Sequence, residues 1–159
     1  MVVASCPSGD RAFFSADYGA SWKPGERVSR VSGFAPFDPW HSWALATDGT
    51  VLHTSNSGVT WTKGPSLGDA EGISLLMVSP TLGFAIDNSK RSVLRTTNGG
   101  TTFSTVLIVA DLYDVYERAG THLAFSDPLH GIVSAASELG TRVYGTQDGG
   151  ASWSFLGAE

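Results

Sequence analysis

Cysteine is nearly missing. Cys6 stands alone among 159 residues, so no internal disulfide can staple the chain and cysteine usage does not mark a compartment. Long apolar runs are missing too. No stretch of about 18 apolar residues occurs, which excludes a helical membrane span. Nor does any window of about 11–18 residues hold a 3.6-residue apolar period, so little helix is expected. Positive charge is scarce, with ten Lys/Arg against fifteen Asp/Glu, a net charge of −5 and Lys90-Arg91 as the one adjacent basic pair. A phosphate backbone calls for a basic face, so nucleic acid is excluded as the main partner. His41, His53, His122 and His130 are scattered without paired ligand spacing. Asp48-Gly-Thr and Asp87-Asn-Ser carry too few carboxylates for a calcium loop. No metal, phosphate loop or cofactor is expected.

What the chain has is glycine (19), abundant Ser and Thr, and 17 aromatics set among short apolar runs. That composition suits an all-β chain rich in turns. It also has a phrase said four times: Ser15-Ala-Asp-Tyr-Gly-Ala-Ser-Trp22, Thr54-Ser-Asn-Ser-Gly-Val-Thr-Trp61, Thr96-Thr-Asn-Gly-Gly-Thr-Thr-Phe103 and Thr146-Gln-Asp-Gly-Gly-Ala-Ser-Trp153. The shared pattern is [S/T]-x-[D/N]-x-G-x-[S/T]-[W/F], hereafter the box. Its aromatics lie 39, 42 and 50 residues apart, the period of a repeat array.

The chemistry of the box is that of a tight turn. Asp17, Asn56, Asn98 and Asp148 can accept hydrogen bonds from backbone N–H groups two residues on. Gly19, Gly58, Gly100 and Gly150 supply positive φ. The flanking hydroxyls can reach the same turn, and Trp22, Trp61, Phe103 or Trp153 swings back as an apolar plug beneath it. Apolar pairs precede each box (Phe13-Phe14, Val51-Leu52, Val93-Leu94, Val143-Tyr144), so each box reads as a hairpin turn.

These residues resemble the Asp-box, or BNR, repeat of β-propeller proteins, over essentially the whole chain. Boxes two and three depart from it with Asn for Asp, and box three with Phe for Trp. The resemblance implies a box that is architectural, on the rim of each blade, so Asp17 and Asp148 are not expected to be catalytic. The repeats also look like those of photosystem-II-assembly-factor propellers, judged on Thr96–Phe103 and on Gly83-Phe-Ala and Gly131-Ile-Val ahead of two boxes. That likeness implies a noncatalytic scaffold for a protein partner.

Read in order, the chain divides into units of about 1–27, 28–67, 68–120 and 121–159. Strands are expected at 2–6, 11–15 and 20–23, with Lys23-Pro24-Gly25-Glu26 turning the chain. Further strands follow at 28–34, 42–46, 51–55, 73–78, 83–86, 93–97, 121–125, 131–134 and 142–146, and Gly64-Pro65 closes the second unit. Four strands per repeated unit describe propeller blades. With an exit strand after each of the last three boxes the count is fifteen, because the first unit lacks its innermost strand. A four-bladed ring, a piece of a larger propeller and an arc completed by another chain, by self-association, all fit that count. Cys6 reads as a buried strand cysteine. Val3-Ala4-Ser5-Cys6 loosely resembles a lipoprotein cleavage box but lacks the leader such a signal needs. The compartment is extracytoplasmic if an upstream signal is missing and cytoplasmic otherwise.

Candidate binding residues are few. Trp40 and Trp43 flank His41 and are the Trp residues outside the boxes. They either pack blade on blade or form an aromatic platform for a glycan or a partner's apolar anchor. Tyr113 and Tyr116 sit in the longer connection 109–120, which reads as an elongated inter-blade connection, an extra edge strand or a loop over the top face. Because Asp-box repeats also occur in sialidases, Tyr113, Tyr116 and Glu117 with Arg91, Arg95, Arg118 and Arg142 form the constellation to weigh. The Phe/Tyr-Arg-Ile-Pro segment of a sialidase has no counterpart in the chain. Three readings follow: a noncatalytic protein-binding scaffold, a fragment of a sialidase-like or other glycoside hydrolase, and a carbohydrate-binding propeller.

Overall fold

The computed structural model describes residues 2–6, 9–15, 17, 19–109, 121–137 and 140–158. The described residues are all-β, in four antiparallel sheets in which each strand pairs with its neighbours in the chain. The first sheet has three strands, β1 (Val2–Cys6), β2 (Gly9–Phe14) and β3 (Lys23–Val28). The second has β4 (Val31–Pro36), β5 (Ser42–Ala46), β6 (Thr50–Thr54) and β7 (Thr62–Ser66). The third has β8 (Ile73–Met77), β9 (Gly83–Asp87), β10 (Ser92–Thr96) and β11 (Ser104–Ile108). The fourth has β12 (Thr121–Phe125), β13 (Gly131–Ser137), β14 (Gly140–Thr146) and β15 (Ser154–Ala158). The fifteen strands match the expected count.

Two expected turns are strands instead. Lys23-Pro24-Gly25-Glu26 lies in β3 and Gly64-Pro65 in β7, the outer strands of their sheets. Each outer strand carries a bulge. Phe13 opposes Pro24 while Arg11 opposes Arg27, and Leu52 opposes Lys63 while Thr50 opposes Ser66. A bulge and an unpaired edge are where a strand tolerates proline. The glycines have a steric reason: a Cβ on Gly64 would stand 2.7 Å from the Gly100 carbonyl oxygen of the next sheet, and one on Gly25 would overlap the Gly58 carbonyl. The strand expected at 20–23 is displaced because the box turn runs on to Trp22. The one expected at 28–34 is interrupted at Ser29-Arg30, and β4 begins at Val31.

The core lies between sheets. Strands β5 and β9 are buried at every residue because they are covered on both faces, as their near-continuous apolar runs demand. The face of the second sheet turned toward the third, its forward face, contributes Ala35, Trp43, Leu45 and Val51. These meet Ile73, Leu75, Met77, Leu94 and Phe103 on the rear face of the third. Phe84 and Val93 repeat the arrangement against Val133, Leu123, Tyr144 and Trp153 of the fourth sheet. Val28 of the first sheet packs with Phe34, Ala44, Leu52 and Trp61 of the second. Among the described residues the principal contacts between strands of different sheets run from β4 and β5 to β8 and from β9 to β12, and none of these principal contacts joins the first sheet to the fourth.

Candidate functional site

Each box builds the same hydrogen-bonded corner. In the fourth, the Thr146 hydroxyl donates to Asp148 Oδ1 (2.8 Å) and accepts the N–H groups of Asp148 (3.3 Å) and Gly150 (2.9 Å). Asp148 then accepts the Ser152 N–H (3.0 Å) and hydroxyl (2.6 Å). Ser15, Asp17, Gly19 and Ser21 repeat the set. So do Thr54, Asn56, Gly58 and Thr60, and Thr96, Asn98, Gly100 and Thr102, with one bond reversed: Asn56 and Asn98 donate through Nδ2 to the Thr60 and Thr102 hydroxyls. The Asp or Asn therefore reaches the N–H four residues on, not two as expected. The N–H two residues beyond it, that of the glycine, is taken by the first hydroxyl, whose shorter arm lies nearer.

The carboxylates are held in the ionised form. Hydrogen bonds from the Ser21 hydroxyl, then the Ser21 N–H, lower Asp17 to about 2, and the corresponding Ser152 groups lower Asp148 further. Such groups accept hydrogen bonds and do not deliver protons near neutrality.

The box turn also docks sheet on sheet. The indole N–H of Trp43 donates to the Gly99 carbonyl (2.7 Å), and Arg95 Nε donates to the Gly149 carbonyl (2.7 Å). Gly100 lies against Trp43 and Gly150 against Phe84. The box aromatic lies against the glycine of its own turn, where a Cβ on Gly150 would come within 3.2 Å of Trp153, and it also enters this interface. Trp153 meets Phe84 of the preceding sheet at 6.4 Å between ring centroids, in a T-shaped arrangement.

A second recurrent element stands beside the boxes. Asp38 Oδ1 accepts the N–H groups of Trp40 (2.7 Å) and His41 (2.6 Å), and its Oδ2 meets His41 Nδ1 at 2.8 Å. Asp127 makes the same bonds to Leu129, His130 and the His130 ring, and these donors, the Leu129 N–H first, hold its carboxyl below the usual range. Ser79 stands at this place in the third sheet, accepting the N–H groups of Thr81 and Leu82. The signal was readable as Asp-Pro-x-His, which occurs twice. Each loop is tied to the box of its own sheet, through Ser57 N–H to the Trp40 carbonyl, Gly99 N–H to Thr81 and Gly149 N–H to Leu129.

The candidate residues fall in different places. Trp40 is 62% exposed on that rim loop, while Trp43 is 2% exposed between sheets, so the two do not form one platform. Tyr113, Tyr116, Glu117 and Arg118 lie outside the described residues. Arg95 is committed to the Gly149 carbonyl. Among the described residues no group of three or more His, Cys, Asp or Glu could hold a metal ion, and no helix is long and apolar enough to cross a membrane.

Meandering antiparallel sheets packed face to face, with one turn repeated at one corner of each, define the fold of a β-propeller. Solved structures share it. YCF48 bound to D1 peptide is 20% identical with a TM-score of 0.56, over 81% of this chain and 41% of that one. BamB from Moraxella catarrhalis is 12% identical with a TM-score of 0.59, over 98% and 47%. The GH74 enzyme of Niastella koreensis is 16% identical with a TM-score of 0.58, over 94% and 26%. The chain thus spans less than half the length of each. No family model and no curated protein sequence matches it.

Proposed function

We propose that this chain is a noncatalytic propeller scaffold of the Asp-box class, similar to the photosystem-II-assembly-factor type, that binds a segment of a protein partner. The observation that carries the reading is the commitment of the four recurrent Asp/Asn side chains to their own turns, which leaves the repeat as architecture. Trp40 supports it: a largely exposed indole on a loop fixed by Asp38 and by the Ser57 N–H is a preorganised anchor, the kind of residue that dominates protein contacts. The D1 peptide held by YCF48 shows that a protein of this fold takes such a ligand.

Panning a random linear-peptide display library on the purified chain tests it. Enriched peptides are expected to bind about ten-fold more weakly to Trp40→Ala. The second reading, a glycoside hydrolase fragment, is favoured by the fold shared with a GH74 enzyme. Turnover of a fluorogenic glycoside that is abolished by Glu117→Gln or Tyr113→Phe would establish it and remove the scaffold. A glycan at Trp40 and self-association are the finer alternatives for the partner. Binding on a glycan array that Trp40→Ala abolishes would select the glycan.

A further inference from the structure

We propose that two copies of this chain close head to tail into one ring, the forward face of each fourth sheet covered by the rear face of the other copy's first sheet. The proposal deepens the self-association named above, and it rests on the propeller architecture rather than on the peptide-binding reading.

The internal interfaces of the chain supply the template. Register places Trp43 of β5, Phe84 of β9 and Ile132 of β13 at one position, each one residue after the residue opposite Thr54, Thr96 or Thr146. Trp43 and Phe84 are 2% and 0% exposed because the next sheet covers them, whereas Ile132 is 52% exposed. Leu156, the bulge residue of β15, is 61% exposed beside it and lies over Gly145, where a Cβ would come within 2.9 Å of its Cδ1. Ile132, Gly145 and Leu156 line one open depression of about 790 Å³ with Ala124, Phe125 and Thr146.

What covers that position in the second and third sheets is a box turn and its aromatic: Gly100 on Trp43, and Gly150 with Trp153 on Phe84. Among the described residues one box has its turn uncovered. Gly58, Gly100 and Gly150 are buried, but Gly19 is exposed, a Cβ there would meet among the described residues its own Trp22 at 3.7 Å, and Trp22 is 44% exposed. One chain therefore carries both halves of an unmade interface, a bare acceptor face on the fourth sheet and a bare box on the first. Within one copy the first and fourth sheets share none of the principal contacts, and in the proposed ring the halves meet between copies.

Such a contact is heterologous, and it ends in a closed ring only if the rotation per sheet matches. BamB gives the scale: 98% of this chain covers 47% of that chain, so two arcs match about its length. On the side of the fourth sheet the joint is apolar, since Ile132 and Gly145 stand where Trp43 and Arg95 donate hydrogen bonds.

Sedimentation equilibrium of the purified chain up to about 100 μM tests the idea. The wild type is expected to be a dimer. Ile132→Asp/Leu156→Asp and, separately, Trp22→Ala are expected to be folded monomers by circular dichroism, with dissociation constants raised at least about 100-fold, because an introduced carboxylate loses water and a central aromatic is lost. Phe155→Asp is the control for the opposite face, where Phe155 packs on Tyr144, and stays dimeric. Mixing the two monomeric variants restores a dimer, because one intact joint remains between them. A monomeric wild type, an open polymer, or face variants that remain dimeric would each overturn the proposal. Peptide binding by the monomeric variants is read separately, so either proposal can fail without the other.

Discussion

Replacing Thr96 by Val separates the hydrogen-bonding role of the box from its shape. Thr96 is buried, and its hydroxyl accepts the Gly100 N–H at 2.9 Å and donates to Asn98 Oδ1 at 3.0 Å. Valine keeps the volume and β-branching and removes both bonds. The Gly100 N–H is then stranded, because Gly100 is buried and a Cβ there would stand 3.2 Å from Trp43 Nε1, leaving no room for water. A stranded buried donor costs about 1–3 kcal/mol and the lost hydroxyl bond about 0.5–1.5 kcal/mol, so the loss is about 2–4 kcal/mol. For a domain of this size each kcal/mol is worth roughly 2–4 °C in Tm. Ser15→Ala removes the same bonds from the first box, where exposed Gly19 regains its partner from water, and it costs about 1 kcal/mol or less. Urea unfolding in the Ile132→Asp/Leu156→Asp background keeps chain association out of the measurement, and the midpoints should separate at unchanged m-value. If Thr96→Val cost no more than Ser15→Ala, burial of the turn by the preceding sheet would not be what makes these bonds matter.

Other substitutions probe the same architecture. Trp43→Phe leaves the Gly99 carbonyl without its donor and costs about 2–3 kcal/mol, whereas the Trp61 indole N–H is buried with no partner and Trp61→Phe costs about 1 kcal/mol; equal shifts in urea midpoint would refute the distinction. Gly64→Ala drives a methyl to within 2.7 Å of the Gly100 carbonyl and costs about 1–3 kcal/mol, read as a lower Tm. Asp17 and Asp148 are lowered in the fold, so their stabilisation is complete above the ordinary carboxylate value near 3.8 and drains away as pH falls from there toward 2 and below. Asp17→Asn/Asp148→Asn, which copies Asn56 and Asn98, should lose less Tm than the wild type between pH 5 and about 2; parallel curves would count against the carboxylates.

The strands and the box were legible because each is written in one short stretch. Alternating apolar residues before a Gly-bearing turn need no distant partner to be recognised, and four copies remove the ambiguity of one. What escaped was whatever depends on a neighbouring sheet. Trp40 and Trp43 look alike in Trp-His-Ser-Trp, yet β5 starts at Ser42, which sends Trp43 into an interface and leaves Trp40 on a loop. Pro24-Gly25 and Gly64-Pro65 read as turns because local chemistry allows a turn, while the reason for those glycines is a carbonyl more than thirty residues away. The fourth box position also escaped: Ser57, Gly99 and Gly149 have φ of 61°, 68° and 69°, so two of the four copies hold a second glycine for the same left-handed backbone. Phe103 for Trp, a departure when read along the chain, becomes intelligible in the packed array. The indole N–H groups of Trp61 and Trp153 make no hydrogen bond, so the position selects an aromatic volume between sheets and a phenyl ring serves.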